Sequence, residues 1–519
     1  MTTKALSLLA LVPVAILSGC AGNPMRSYDS ELKATVTLVK TGQLQQALDG
    51  IEKNNTSMFA SKKDEKTAAG GKHANGTLDN KDILYFLEKG EILNLQNNYV
   101  EGRDTWLQAD EYVRTWEDEY KTNPSKLLGD VGSYLVSDRV RRYDGQDYEK
   151  VSLSTELTLN HIMLGDFDSA RIEMKKTFER EKLIESFREK EYDKLKEEGE
   201  KQHISADTKQ LSEKGYPMAD LDTPDVRNLK NGFQNAFAHY LAGYFFEVTG
   251  EYSLAEPGYR NALALQPNSK LINDGLKRVG KRKPGVNESD VLFVIESGFA
   301  PAWKSVTIPI PIPTGKSMVV TPLSFPVIKA EDKGFVPPSV NAGGKELPVE
   351  TLVNIDAMAR RLLKDQLPGI MLRTVVRAVA KSVAQDQAQK GGLMLGAIVT
   401  IAAVATEQAD ERAWRTLPER ISVARATLPY GKLPVEFQSG KGVYRTEVNI
   451  GNRFTVVPIR LTGGAVYMGK QNVVNSSWSG VAESQPVGGA AKVGKRPAKS
   501  ARPTKAAPVG NQTTTVGQQ

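Results

Sequence analysis

The hydrophobic residues follow one spacing in the first half of the chain and another in the second. Up to about residue 285, apolar side chains recur every three or four positions, which is the period of an amphipathic helix. After residue 285, strand-like apolar runs replace this period. The two patterns together predict an α+β protein in which helical hairpins are followed by a mixed β-rich domain with inserted helices. The clearest strand-like runs are Val291–Ile295, Met318–Thr321, Ile421–Ala424, Val443–Ile450 and Phe454–Leu461.

Prolines refine the prediction for the β-rich half. In Val306–Pro313, β-branched residues alternate with prolines, which cannot donate to a neighbouring strand. This segment is therefore predicted to be an edge strand or an extended arm. Two helices are predicted over Val349–Leu367 and Ile370–Val383, separated by Pro368-Gly369.

Four segments of the helical half share a spacing of small and aromatic residues. The best example is residues 236–269, with Gly243, Phe246, Ala255, Tyr259, Ala262 and Pro267. Residues 83–116 repeat this spacing well, and residues 28–61 and 151–184 repeat it more weakly. The segments resemble tetratricopeptide repeats, which are 34-residue helical hairpins. The best copy departs from the family in having His239 where Trp is usual, and Pro257, which predicts a kinked or delayed second helix.

The resemblance implies stacked hairpins with a curved groove that binds partner proteins. In residues 236–269, the positions that commonly face such a groove are occupied by Phe237, Tyr240, Tyr244 and Glu247. These four residues are the candidate partner-binding site. The alternative for Tyr240 and Tyr244 is packing against the next helix.

Two charged segments have distinctive patterns. Residues 171–202 contain 20 charged residues among 32, ten of each sign, which predicts one long solvated helix. Arg373, Arg377 and Lys381 are spaced by four on the second inserted helix and are candidates for contact with an anionic lipid surface. The alternative is an ordinary solvated face. The uncharged run 391–406 is predicted to be a buried helix, with contact to lipid as the alternative.

Composition excludes several kinds of site. The chain has 519 residues, one cysteine and four histidines, with 68 Lys and Arg against 61 Asp and Glu. One thiol cannot build a disulfide framework, a zinc ribbon or an iron–sulfur site, and the histidines lack metal-binding spacing, so we expect no metal and no cofactor. Residues 486–519 carry six basic and no acidic residues, which predicts a disordered tail that either attracts polyanions or serves as a soluble spacer.

The N-terminus predicts export and anchoring. A basic start precedes the apolar stretch Ala5–Ile16, as in a secretory signal. Leu17-Ser18-Gly19-Cys20 resembles the lipobox of bacterial lipoproteins, which implies that Cys20 carries the lipid. In that family Ala21 is typical of sorting to the outer membrane, so the protein is expected to face the periplasm. The predicted divisions are 1–19 (signal), 20–285 (helical domain), 286–480 (mixed domain) and 481–519 (tail).

The sequence does not favour an enzyme. It has no GxSxG or SxxK motif, and Thr314-Gly315-Lys316-Ser317 lacks the earlier glycine of a phosphate loop. The leading hypothesis is a non-enzymatic scaffold or adaptor that binds other envelope proteins, not nucleic acid. The alternatives are a cell-wall or polysaccharide enzyme or its accessory, and a membrane-remodelling factor that uses residues 373–406.

Overall fold

A computed structural model describes the part of the chain that carries the helices and strands. The signal and Cys20, the run 391–406 and the basic tail all lie outside the described residues, as do His73 and His203. The described residues are 28–54, 81–124, 142–201, 208–281, 284–314, 317–329, 331, 333–390 and 408–471.

The predicted α+β class is confirmed, because helices fill the first half of the described chain and strands dominate the second. The change occurs between Arg278 and Glu288. A short 3₁₀ helix covers Met218–Leu221. The α-helices are α1 (Tyr28–Lys40), α2 (Leu44–Asn54), α3 (Ile83–Leu95), α4 (Tyr99–Thr122), α5 (Asp147–Leu164), α6 (Phe167–Lys201), α7 (Thr208–Glu213), α8 (Pro224–Arg227), α9 (Ala236–Thr249), α10 (Tyr252–Leu265), α11 (Lys270–Arg278) and α12 (Ile355–Lys390).

The described strands form three sheets. The strands are β1 (Glu288–Ser297), β2 (Trp303–Thr314), β3 (Ser317–Ile328), β4 (Ser339–Ala342), β5 (Lys345–Pro348), β6 (Glu350–Asn354), β7 (Arg420–Pro429), β8 (Gly431–Gln438), β9 (Val443–Ile450), β10 (Phe454–Leu461) and β11 (Val466–Met468). A five-stranded sheet has the order β11-β10-β1-β7-β6, in which only β1 and β10 run parallel. A four-stranded antiparallel sheet has the order β5-β4-β8-β9, and β2 pairs with β3 in a long hairpin.

Strand β1 is buried on both faces, which explains its continuous apolar run. Leu292 and Val294 belong to the core shared with the helices. Their neighbours Val291, Phe293 and Ile295 point the other way and pack against the four-stranded sheet. The molecule therefore has three layers: helices, the five-stranded sheet and the four-stranded sheet.

The described residues of each of the four segments with the shared spacing form a helical hairpin, because small residues let the paired helices approach closely. A Cβ atom at Gly90 would lie 2.2 Å from the indole of Trp106. At the α9–α10 contact, a Cβ at Gly258 would lie 2.6 Å from the backbone nitrogen of Gly243. Helix α10 starts at Tyr252 and continues past Pro257, so the expected delay of this helix does not occur.

The prediction of a fully solvated helix over residues 171–202 is wrong for its first half. The helix itself is present as α6, but its Arg180 side chain has no exposed surface. Arg180 bonds Asp110 at 2.8 Å and Glu117 at 2.6 Å, both on α4. Charge composition alone could not reveal this, because the opposite charges that neutralise Arg180 lie more than sixty positions away in sequence.

The two predicted inserted helices are also corrected. Residues 350–354 form strand β6, and the helix starts only at Ile355. It continues without interruption through Pro368 to Lys390. The prolines of β2 have the predicted effect, because in the described chain this strand pairs only with β3.

Buried carboxylates of the helices hold a loop of the β-rich half. Glu88 on α3 accepts hydrogen bonds from the backbone nitrogens of Arg415 (2.6 Å) and Thr416 (3.0 Å). Glu149 on α5 accepts one from the backbone nitrogen of Trp414 at 2.8 Å. The Trp414 ring is fully buried, with its centroid 6.0 Å from that of Trp106. The helices and the β-rich half therefore share polar contacts as well as a hydrophobic core.

We expect Gly258→Ala to destabilise the protein by about 1–3 kcal/mol, because the nearest atoms to the new methyl group are backbone atoms that cannot rotate away. Gly451→Ala is the matched control, since a Cβ there meets nothing within 4 Å. Urea denaturation of both variants measures the effect. Equal midpoints for Gly258→Ala and Gly451→Ala would contradict the close helix contact.

Candidate functional site between the helices and the sheet

The candidate site is a small pocket where the helical layer meets the five-stranded sheet. Its floor is formed by Glu91 of α3, Glu156 and Asn160 of α5, Glu296 of β1 and Arg460 of β10. The cavity volume is about 50 Å³, which is room for a few water molecules. The site is therefore suited to a compact polar group.

Regular secondary structure brings the floor residues together. Glu156 and Asn160 are four positions apart on α5 and so lie on the same helix face. Glu296 and Arg460 are directly paired in the parallel register of β1 and β10, so their side chains project from the same face of the sheet. The site thus rests on rigid elements.

The floor is buried but incompletely hydrogen-bonded. Glu91, Glu156 and Glu296 are 3%, 4% and 6% exposed. Among the described residues, Oε1 of Glu156, Oε1 of Glu296 and Oδ1 of Asn160 have no hydrogen-bond partner. Each such buried polar atom costs about 1–3 kcal/mol if nothing satisfies it. The pocket therefore has unused capacity to accept hydrogen bonds and, at Nε and Nη1 of Arg460, to donate them.

Arg460 is the cation of the floor. Its Nη2 atom donates to the carbonyl oxygen of Thr416 at 2.7 Å, and its guanidinium lies 5.2 Å from the centroid of the Phe299 ring. Its Nε atom is 3.7 Å from Oε1 of Glu91, which is an ion pair without a hydrogen bond. One guanidinium therefore faces three carboxyl groups.

Burial and mutual repulsion raise the pKa values of these carboxyl groups. Burial raises the pKa of Glu91 to about 8, against the opposing effect of Arg460 and with added repulsion from Glu296 and Glu88. Burial, followed by repulsion from Glu296 and Glu91, raises the pKa of Glu156 well above its usual range. Burial also raises the pKa of Glu296, although Arg460 opposes this shift. The cluster therefore titrates as a coupled group.

The mouth of the pocket lies at the turn between α3 and α4, beside β11. Asn97 adopts a left-handed conformation there, with φ of 59°, which lets the chain reverse within three residues. The Tyr99 hydroxyl donates to Oδ1 of Asn97 at 2.8 Å and accepts from the backbone nitrogen of Lys470 at 3.2 Å. Asn160 links the mouth to the floor, because its Nδ2 atom donates to the Tyr99 carbonyl at 3.0 Å.

The predicted partner-binding residues lie elsewhere and are buried, which favours the alternative that Tyr240 and Tyr244 pack against neighbouring elements. Phe237, Tyr240 and Tyr244 have no exposed surface, and Glu247 is 5% exposed. Arg425 of β7 occupies the predicted groove, with Nη1 donating to Oε2 of Glu247 at 2.9 Å. The Arg425 guanidinium also lies 4.6 Å from the centroid of the Tyr244 ring.

Further hydrogen bonds and ring packing between the α9–α10 hairpin and the sheet close the predicted groove. Arg425 donates two hydrogen bonds of 2.7 Å to the carboxylate of Asp290, and the Tyr244 hydroxyl donates to the Asp290 carbonyl at 2.8 Å. Tyr240 packs edge-on against Tyr259 of the next helix, with ring centroids 5.6 Å apart. The groove of this hairpin is filled by the protein's own sheet.

The predicted basic surface is not a surface either. Arg377 is 3% exposed, and Arg373 pairs with Glu191 of α6 at 3.1 Å. Both side chains lie in the contact region of α12 and are not available to a lipid bilayer. The Lys381 side chain lies outside the described residues.

The described histidines are buried. Nε2 of His239 lies 2.8 Å from Oε2 of Glu181, and Nδ1 of His161 lies 3.1 Å from Oδ2 of Asp166. No group of three or more His, Cys, Asp or Glu side chains in the described ranges has the geometry to hold a metal ion. Nor is any helix there both long and apolar enough to cross a membrane.

We call the pocket with Glu91, Glu156, Glu296, Asn160 and Arg460 in its floor the acidic pocket. Sequence reasoning missed it because these residues come from four elements and form no motif. Two local signals could have indicated it. Glu91 lies within residues 83–95, where most of the residues are apolar. Glu296 directly follows the apolar run of β1. A carboxyl group within such an apolar segment indicates a polar partner or a functional role.

Comparison with known proteins gives no further assignment, because no family model, no curated protein and no solved structure matches this chain.

We expect Glu91→Gln to reduce the pH dependence of stability. The folded protein retains a proton on Glu91 up to about pH 8, whereas the ordinary pKa of the side chain is 4.5. Since the folded state binds more protons in this window, its stability falls as the pH rises from about 4.5 to about 8. Removing the titrating group should make that loss smaller.

Urea midpoints measured from pH 5 to pH 9 test this expectation. Glu179→Gln is a suitable control, because the Glu179 side chain is 64% exposed. Superimposable pH profiles for Glu91→Gln and the unmodified protein would refute a raised pKa at Glu91.

Proposed function

We propose that this protein is a lipid-anchored lipoprotein of the bacterial envelope that acts as a non-enzymatic scaffold or adaptor. Cys20, following an apolar signal-like stretch, is the proposed site of the lipid. Two or more acyl chains hold a protein stably on a membrane, because each buried methylene contributes about 0.8 kcal/mol. The proposed location is the periplasmic face of the outer membrane.

The acidic pocket is the observation that supports a binding role. It combines a preformed cavity with buried oxygen atoms that lack partners among the described residues. Buried oxygen atoms without hydrogen-bond partners favour the binding of a group that donates hydrogen bonds to them. We therefore place the proposed partner contact at the pocket mouth, near Asn97, Tyr99 and Lys470, instead of at Tyr240 and Tyr244.

A glycan-processing enzyme is the second candidate. A carboxyl group such as Glu91, with a pKa of about 8, has the protonation state that a general acid needs. The cavity volume of about 50 Å³ argues against this function, because small-molecule sites usually enclose roughly 300–1,000 Å³. The pocket size favours binding of a small group over enclosure of a sugar.

Photo-crosslinking in cells tests the proposal. A photoreactive residue at Lys470, which is exposed beside the mouth, should capture a discrete set of envelope proteins. The same residue at Lys175, whose side chain is 78% exposed on α6, is the control and should not capture that set. Cys20→Ala should abolish labelling by palmitate and, by releasing the protein from its membrane, abolish the crosslinks at Lys470.

Two results would count against the proposal. Unchanged palmitate labelling of Cys20→Ala would refute the anchor. Identical captured proteins at Lys470 and Lys175 would refute a specific contact at the mouth.

A further inference from the structure

We propose that the acidic pocket binds a primary ammonium group, with Glu156, Glu296 and Asn160 as its acceptors. This inference extends the proposed function by naming the chemistry that the pocket would recognise. It rests on three properties of the floor: its charge, its unpaired atoms and its size.

The charge of the floor favours a cation. With Glu91, Glu156 and Glu296 ionised, the three carboxylates outnumber the single guanidinium of Arg460 by two charges. Close carboxylates in a buried site cannot all ionise unless a cation joins them. No lysine ammonium group of the described chain forms a hydrogen bond with Oε1 of Glu156 or Oε1 of Glu296. Either bound protons or an incoming cation must therefore balance the cluster.

The unpaired atoms distinguish an ammonium group from other cations. Three oxygen atoms of the floor lack hydrogen-bond partners, namely Oε1 of Glu156, Oε1 of Glu296 and Oδ1 of Asn160, and so do the donors Nε and Nη1 of Arg460. An ammonium group has three N–H donors and no acceptor, so it can bond the three oxygen atoms without competing for the Arg460 donors. Asn160 cannot reverse its amide to offer a donor instead, because its Nδ2 atom already bonds Asn94 and Tyr99. A metal ion fits less well, since the described residues offer no metal-binding geometry.

The size and the walls favour a compact head on an apolar stem. The cavity volume of about 50 Å³ suits a point-like ammonium group better than a planar guanidinium. Leu95, Leu159 and Met163 line the pocket together with the polar floor. A short methylene chain attached to the ammonium nitrogen could pack against these side chains, as lysine stems do on apolar surfaces.

Calorimetric titration of the purified full-length protein with propylammonium chloride at pH 8.5 is the direct test. Tetramethylammonium chloride has the same charge but no N–H donor, and 1-propanol has the stem without the charge. We expect heat of binding for propylammonium and none for either comparison compound at equal concentration. Binding should strengthen from pH 6 to pH 8.5, because the carboxyl groups must lose protons before they accept the ammonium group.

Substitutions of the pocket glutamates test whether propylammonium binds in the acidic pocket. Glu156→Gln and Glu296→Gln should each weaken propylammonium binding by about tenfold or more, since each removes one charged acceptor from a buried site. Glu179→Gln, on an exposed part of α6, should bind as the unmodified protein does. If both pocket variants fail to fold, the comparison of propylammonium with tetramethylammonium on the unmodified protein still decides the question.

The proposal is overturned if propylammonium binds no better than tetramethylammonium, or if a folded Glu156→Gln protein retains full affinity. Two further measurements identify the molecule that carries the ammonium group. If propylammonium competes with the crosslink at Lys470, the group belongs to a lysine of a partner protein. If native mass spectra show a bound amine, the group belongs to a small molecule. Crosslinks that persist at Lys470 with no amine binding would overturn this inference and leave the scaffold function standing.

Discussion

Buried carboxylates on the helices that bond to the β-rich half are the constraint on which this structure depends. Glu88 and Glu149 accept hydrogen bonds from a loop at residues 414–416, and Glu247 accepts one from Arg425 of the sheet. A buried polar group that loses its hydrogen-bond partner costs about 1–3 kcal/mol, so neither half can withdraw without leaving unpaired groups. The hydrophobic core crosses the same boundary, with Leu292 of β1 and Tyr244 of α9 in one cluster. The hairpin surface that could form an open groove instead packs against the protein's own five-stranded sheet.

Local features were predictable from sequence because they depend on neighbouring residues. The hairpins follow from small residues such as Gly243 and Ala255, and the unshared edge of β2 follows from its prolines. Pairings between distant positions were not predictable in this way. Sequence alone places Arg180 in a solvated segment, because its partners Asp110 and Glu117 are remote in sequence. It leaves Tyr244 between an open groove and packing against the next helix, because nothing near it indicates Arg425.

The acidic pocket also depends on pairings between residues that are distant in sequence. Glu156 and Asn160 share a helix face and could have been grouped from sequence, but Glu296 and Arg460 join them only through the parallel pairing of β1 and β10. The site therefore exists only once the helices and the sheet have assembled. A group that binds there would stabilise the contact between the two halves, because it would bind the folded state alone.

Native-state hydrogen exchange tests most directly whether the helices and the sheet unfold together. The account predicts that backbone amides in α5, in β1 and at Arg415 and Thr416 exchange with the same free energy, equal to that of global unfolding. Exchange of the β1, Arg415 and Thr416 amides at a clearly lower free energy, while α5 remains protected, would contradict it. In that case the two halves would be separate folding units and the pocket between them would not be a preformed site.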